Sequence, residues 1–185
     1  MNIDTDGARA PVRKGRGEPA GLTLVSPAAL WKWTTAHEVE ALREALARGC
    51  LPPDLHGKLR GLAGGDLGDR FIEQNCRLFA TLLLATEEGS FREGSRAECE
   101  RLLRVLAYVR KDDNAIPDYT PEGLTDDQQE VRAVTVELGG LLQAFKAWRL
   151  RHQVPGMWAD HARGDYSANA AQRFAPRDSV RPRAA

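Results

Sequence analysis

The feature that most constrains this chain is a seam of apolar side chains that recur at alternating steps of three and four between residues 131 and 152. The residues of this seam are Val131, Val134, Leu138, Leu141, Phe145, Trp148 and His152. Such spacing places them all on one face of an α-helix. The pattern predicts a long helix that begins at an N-cap Thr125, carries Asp126 and Asp127 in its first turn, and is stopped by Pro155.

A seam of this kind has two interpretations. It could pair with a partner helix as a coiled coil, or it could pack against neighbouring helices of its own bundle. We favour the bundle because that use of the spacing is common in helical domains. Gly139 and Gly140 interrupt the helix, and each costs about 1 kcal/mol relative to alanine in a helix interior. The glycine pair therefore predicts either close packing or a kink at this point.

Capping signals predict the other helices. Thr35 with Glu38, and Ser95 with Glu98, have the spacing of a capping box, in which two side chains bond each other's backbone N–H groups. The predicted helices run from Thr35 to Gly49, from Asp54 through Leu62, from Asp66 to Gly89 and from Ser95 to Lys111. The helix after Asp54 is weakly indicated because several glycines interrupt it. No stretch shows the period of two that marks a strand.

These elements predict an all-α fold, a bundle of four to five helices over residues 28–162. Residues 1–27 are predicted to form a flexible N-terminal tail and residues 163–185 a flexible, arginine-rich C-terminal tail, because both segments contain few residues that could join a core.

Composition narrows the class of protein further. The chain has 185 residues, and its 26 basic residues equal its 26 acidic ones, so no net field favours nucleic acid or an anionic membrane over the whole surface. The three cysteines form no C-x-x-C pair, and the N-terminus does not have the pattern of a signal peptide. No apolar run is long enough to span a bilayer. We therefore expect a cytoplasmic protein.

One loop carries a resemblance to a known family. Residues 108–127 read YVRKDDNAIPDYTPEGLTDD, with a Tyr at the end of a helix, an Ile-Pro-Asp loop, a Pro, a Gly and a closing Asp-Asp. This stretch resembles the YkvA-like family of small bacterial proteins. The chain has Asn114 where the family usually has Asp, and Asp113 lies beside it. The resemblance implies a helix-loop-helix fold and a bacterial origin, but no reaction, because the family has no established activity.

The acidic residues of this loop have two interpretations. Asp118 and Asp126 could accept hydrogen bonds from backbone N–H groups of the loop and of the helix N-terminus. Alternatively, Asp113, Asp118, Asp126 and Asp127 could converge on Mg²⁺ or Ca²⁺, because these cations prefer carboxylate oxygens. The spacing does not match an EF-hand, and the structural interpretation is the favoured one.

No catalytic motif occurs, so the sequence favours a non-enzymatic interaction or scaffold protein that needs no cofactor. Its partner would be another protein, or a second copy, bound through the C-terminal helix and tail. Candidate contacts are the arginines and interleaved aromatic residues there: Trp148, Arg149, Arg151, Trp158, Tyr166, Arg173, Phe174, Arg177, Arg181 and Arg183. Two alternatives stay open: a cation-dependent enzyme or sensor that uses the acidic loop, and a nucleic-acid-associated protein that uses the arginine-rich tail.

Overall fold

The computed structural model describes residues 32–154. Six helices lie wholly within this range, and no strand occurs there. They are α1 (Ala36–Ala47), α2 (Pro53–Leu62), α3 (Leu67–Glu87), α4 (Arg96–Val109), α5 (Thr125–Glu137) and α6 (Gly139–His152). The predicted all-α fold is confirmed, although the helices outnumber the four or five predicted.

Local signals start and end three of these helices as the sequence predicts. Both capping boxes form, at Thr35 before α1 and at Ser95 before α4, and the Asp66 carboxylate accepts from two backbone N–H groups at the start of α3. Gly49 and Gly89 follow α1 and α3 with φ of 73° and 70°. This left-handed conformation suits glycine and lets the chain leave a helix.

The core surrounds α3, which packs against α1, α2, α4 and α5. Leu78 and the seven residues after it are all buried, as expected for a central helix. The weakly predicted α2 forms because Leu55 and Leu59 are 0% exposed in this core. Burial of two leucines outweighs the helix-breaking tendency of its glycines.

The prediction of one helix with Thr125 as its N-cap and Pro155 as its stop is wrong in two respects. The chain breaks at Leu138 between α5 and α6, and Thr125 is the first residue of α5, whereas Leu124 occupies the N-cap position without a side-chain hydrogen bond. A side chain at Gly139 or Gly140 would meet nothing within 4 Å, so the kink, and not close packing, explains the glycine pair. The apolar members of the seam from Val131 to Trp148 are buried within the chain's own bundle.

The predicted tails, residues 1–27 and 163–185, lie outside the described residues. Between residues 32 and 154, no helix is both long and apolar enough to cross a membrane.

Candidate functional site

A buried lysine connects α2 to the loop between α4 and α5. Lys58 lies on α2, and its side chain is 8% exposed. Its Nζ is 2.5 Å from Asp118 Oδ2 and 2.8 Å from Asp127 Oδ2, and it donates to the Lys111 carbonyl at 3.0 Å. Burial alone would lower the pKa of Lys58, but the adjacent Asp127 and Asp118 carboxylates raise it above its usual value. The amine therefore carries a positive charge held between two carboxylates.

Asp127 is the most deeply buried member of this cluster, with 0% of its side chain exposed. Its Oδ1 accepts from Asn114 Nδ2 at 2.9 Å, and Asn114 is itself 4% exposed. Burial raises the pKa of the Asp127 carboxyl, while the ammonium of Lys58 opposes that rise. Asn114 thus supplies a neutral donor at the position where the YkvA-like pattern has a third acid.

A second hydrogen-bonded pair closes the loop onto the end of α4. The Tyr108 hydroxyl donates to Asp126 Oδ2 at 2.5 Å, and the same carboxylate oxygen accepts from the Ile116 N–H at 3.2 Å. Burial, and then the Asp126 carboxylate, raise the pKa of Tyr108. The hydroxyl therefore stays protonated and can donate to the carboxylate.

One turn further along α5, Glu130 is 1% exposed and faces Arg101 of α4, whose Nη2 lies 3.9 Å from Glu130 Oε2. Burial raises the pKa of Glu130 to about 7, although Arg101 opposes the rise. Asp126, Asp127 and Glu130 place three buried acids on adjacent turns of α5.

The structure therefore brings together Asp118, Asp126 and Asp127 of the predicted metal site, whereas Asp113 is exposed and takes no part. Asp126 and Asp127 do not cap the N-terminus of α5, where Leu124 occupies the N-cap position without a side-chain hydrogen bond. Among residues 32–154, no three His, Cys, Asp or Glu side chains form a group that could hold a metal ion. A cation bound by this loop stays a prediction, and the Lys58 ammonium already neutralises two of the predicted ligands.

An open cleft lies next to this network, between the N-terminus of α3 and the loop that leads into α5. One wall contains Asp66, Gly68 and Asp69, and the other runs from Asp118 through Thr120–Thr125. Four carboxylates line it, and no lysine, arginine or histidine does. Asp118 belongs to both sites: its Oδ2 binds Lys58, while its buried Oδ1 accepts no hydrogen bond. Lys58 balances the charge of Asp118, and the other three carboxylates give the cleft a net negative charge.

Gly123 allows one wall of the cleft to form. A side chain there would lie 2.4 Å from the backbone oxygen of Asp118, so only glycine lets the loop fold back on itself. At Gly68, by contrast, a side chain would lie 2.6 Å from Nε2 of Gln128, which is the end of a flexible side chain that can move aside.

In each wall, one lining residue is followed in sequence by an exposed apolar residue. Leu67 follows Asp66 and is 81% exposed, and Tyr119 follows Asp118 and is 80% exposed. Neither residue was predicted to belong to a site, because nothing in the local sequence pattern distinguishes these residues from buried ones.

The predicted C-terminal contacts are only partly described. Trp148 is 8% exposed and packs against Phe91 and Phe145, so it belongs to the core and not to a binding surface. Arg149 is half-buried and Arg151 is exposed. The remaining predicted contacts lie outside the described residues: Trp158, Tyr166, Arg173, Phe174, Arg177, Arg181 and Arg183.

No protein-family model, curated protein or solved structure matches this chain. The YkvA-like resemblance therefore stays a prediction. Its characteristic residues nevertheless have defined places here: Tyr108, Asp118, Asp126 and Asp127 belong to the polar network, and Gly123 closes the loop.

Proposed function

We propose that this chain is a non-enzymatic interaction protein that binds a basic, partly apolar segment of another protein in the cleft between α3 and the 118–125 loop. The observation that carries the proposal is the acidic lining of this cleft, together with Leu67 and Tyr119, which follow the lining residues Asp66 and Asp118 in sequence and are each about four-fifths exposed. Exposed apolar side chains at the rim of a concave site are typical of protein contacts.

The chemistry of the cleft favours a cationic group at its centre. The side chains of Asp69 and Glu122 contribute two of the carboxylates that line the cleft, and both are at least partly exposed. A lysine or arginine of the partner would pair with them, and its apolar neighbours would cover Leu67 and Tyr119.

The buried polar network supports a binding role over a catalytic one. Lys58, Tyr108 and Asn114 each donate to a carboxylate of the same network, so their polar atoms hold the cleft's loop in place. Rigid support of this kind preorganises a binding surface.

The C-terminal segment remains a second proposed contact, through Arg149, Arg151 and the arginines from residue 163 onward. All three cysteines are free, with Cys76 and Cys99 buried and Cys50 exposed, which supports the proposed cytoplasmic location of a bacterial protein.

The test is selection of a phage-displayed random 12-residue peptide library on the full chain, followed by fluorescence anisotropy with the selected peptides. Selected sequences should contain Lys or Arg beside apolar residues. Leu67→Ser and Tyr119→Ser should each weaken binding by about tenfold or more, as for residues that anchor an interface.

Matched controls come from the same surface. Val136 and Leu150 are 77% and 81% exposed but lie on α5 and α6, and neither is next in sequence to a residue that lines the cleft. Val136→Ser and Leu150→Ser should leave the affinity unchanged. An equal loss in these controls, or selected peptides without a basic residue, would contradict the proposal.

A further inference from the structure

The junction between α5 and α6 is a single residue. The helix α5 ends at Glu137 and α6 begins at Gly139, with Leu138 between them at φ −100° and ψ 22°. The helical hydrogen bonds reach this residue from both sides: the Leu138 N–H donates to Val134 O at 2.9 Å, and Leu138 O accepts from the Leu142 N–H at 3.0 Å. Rotation of very few backbone torsions would join the two helices into one.

Nothing packed around the junction requires glycine there. Neither Gly139 nor Gly140 has a positive φ, and a side chain at either would contact nothing within 4 Å. The low helix propensity of two consecutive glycines is thus the local feature that favours the break.

Beyond the break, three apolar side chains of α6 pack against the turn between α3 and α4. Phe145 packs on Phe91 with 5.1 Å between ring centroids, and Trp148 packs on Phe91 at 5.7 Å. Leu141 approaches Gly94, as does the thiol of Cys99. Phe91 and Gly94 lie in the turn between α3 and α4, so these contacts do not involve α5.

These features together point to an exchange of α6 between molecules. If α5 and α6 join, Leu141, Phe145 and Trp148 continue the seam of Val131 and Val134, but they leave the Phe91 of their own chain. A second copy offers an identical Phe91 site, and its own α6 can fill the first in return.

We propose that α6 is an exchangeable arm through which two copies of this chain form a swapped dimer. The same side chains are buried in the monomer and in the dimer, so the conformation of the junction determines the balance between the two. This proposal does not depend on the cleft or on its ligand.

The first experiment changes the junction alone, in the full chain. The double substitution Gly139→Ala and Gly140→Ala should favour the continuous helix and lower the dissociation constant of the dimer by about tenfold or more. Size-exclusion chromatography with light scattering over a range of concentrations measures this shift. Insertion of Gly-Ser-Gly between Leu138 and Gly139 should have the reverse effect and give a monomer.

The matched control is Gly57→Ala with Gly61→Ala in α2. These glycines are also helical, and a side chain at either would likewise meet nothing within 4 Å. This pair should stabilise α2 without changing the oligomeric state.

The second experiment distinguishes exchange from simple pairing of straightened helices. In a Cys50→Ser background, Leu141→Cys brings a second thiol into the neighbourhood of Cys99, because a side-chain carbon at Gly94 would lie 3.7 Å from Cδ1 of Leu141 and 3.4 Å from Sγ of Cys99. These two changes are combined with Gly139→Ala and Gly140→Ala, and the resulting variant is oxidised at high concentration. A swapped dimer then gives a disulfide between the thiol at position 141 of one copy and Cys99 of the other. Peptide mapping of a mixture of isotope-labelled and unlabelled chains identifies that link. A 99–141 link found only within one chain, or an alanine variant that stays as monomeric as the wild type, would overturn the proposal.

Discussion

The Nζ of Lys58 lies 2.8 Å from Oδ2 of Asp127, although the two residues are on different helices and their side chains are 8% and 0% exposed. The pair joins α2 to α5, and Asp118 extends it to the loop. Removal of one member of a buried ion pair is costly because the other charge is left without compensation.

We predict that Lys58→Met lowers the free energy of unfolding by about 3 kcal/mol at pH 7. Addition of Asp127→Asn should restore part of the loss, because it removes a carboxylate that the first substitution leaves unpaired. Urea unfolding of the single and double variants measures both effects. Simple additivity of the two substitutions would show that the pair is not coupled.

The control for this prediction is a partly exposed ion pair. Arg110 Nε lies 2.5 Å from Asp54 Oδ2, with side chains 32% and 49% exposed. Because solvent screens such a pair, Arg110→Met should cost less than about 1 kcal/mol.

Local features of the fold could be predicted from the sequence, whereas the site could not. The capping boxes at Thr35 and Ser95 involve residues three positions apart, so the sequence contains the whole interaction. The contact of Lys58 with Asp127 joins residues far apart in the chain, and a lone lysine in a glycine-rich helix gives no signal of burial. Its position depends on how α2 packs against the loop.

Asp126 and Asp127 lie in the first turn of α5 as predicted, and they also face Tyr108 and Lys58. The sequence pattern does not show these contacts, because they join residues on different helices. The break at Leu138 was one of two outcomes that the Gly139–Gly140 pair allowed. Only the surroundings of these glycines distinguish a kink from close packing.

Stability should depend on pH through Glu130. Burial raises its pKa to about 7, so the folded chain keeps a proton that the unfolded chain releases above about pH 4. Deprotonation therefore favours the unfolded state. The contribution of Glu130 to the free energy of unfolding is fully present below about pH 4 and is lost as the pH rises from there through about 7. Glu130→Gln should remove this dependence.

As the pH rises from about 4 to about 8, the free energy of unfolding of Glu130→Gln should increase by about 1 to 3 kcal/mol relative to that of the wild type. Urea unfolding at several pH values measures the difference. Glu137→Gln is the control, because Glu137 also binds Arg101 but is 46% exposed. A Glu130→Gln curve parallel to the wild-type curve would contradict the assignment.

Gly123 should not tolerate a side chain. A methyl group there would lie 2.4 to 2.5 Å from backbone atoms of Asp118, and backbone cannot move aside as a flexible side chain can. We expect Gly123→Ala to lower stability by about 1 to 3 kcal/mol, as for overpacking, and to weaken peptide binding in the cleft.

Thermal unfolding and anisotropy measure the two effects of Gly123→Ala. Gly61→Ala is the control, because a side chain there meets nothing within 4 Å and the position is helical. It should stabilise the chain by up to about 1 kcal/mol. If both substitutions stabilise the chain, the loop does not close as described.

The Tyr108 hydroxyl provides the last test of the network. It donates to Asp126 Oδ2 at 2.5 Å, and Asp126 is 2% exposed, so Tyr108→Phe leaves a buried carboxylate oxygen with only the Ile116 N–H as donor. The free energy of unfolding should fall by about 1 to 3 kcal/mol, the cost of an unsatisfied buried polar group.

Tyr119→Phe is a matched control that removes the same hydroxyl from a side chain that is 80% exposed. It should change the free energy of unfolding by less than about 0.5 kcal/mol. Hydrogen exchange at the Ile116 amide should also become faster in Tyr108→Phe and stay unchanged in Tyr119→Phe, because Tyr108→Phe removes the hydrogen bond between α4 and Asp126 and the one that the Ala115 N–H of the loop donates to the Tyr108 hydroxyl. Equal effects of the two substitutions on stability would mean that the hydroxyl of Tyr108 does not hold the loop.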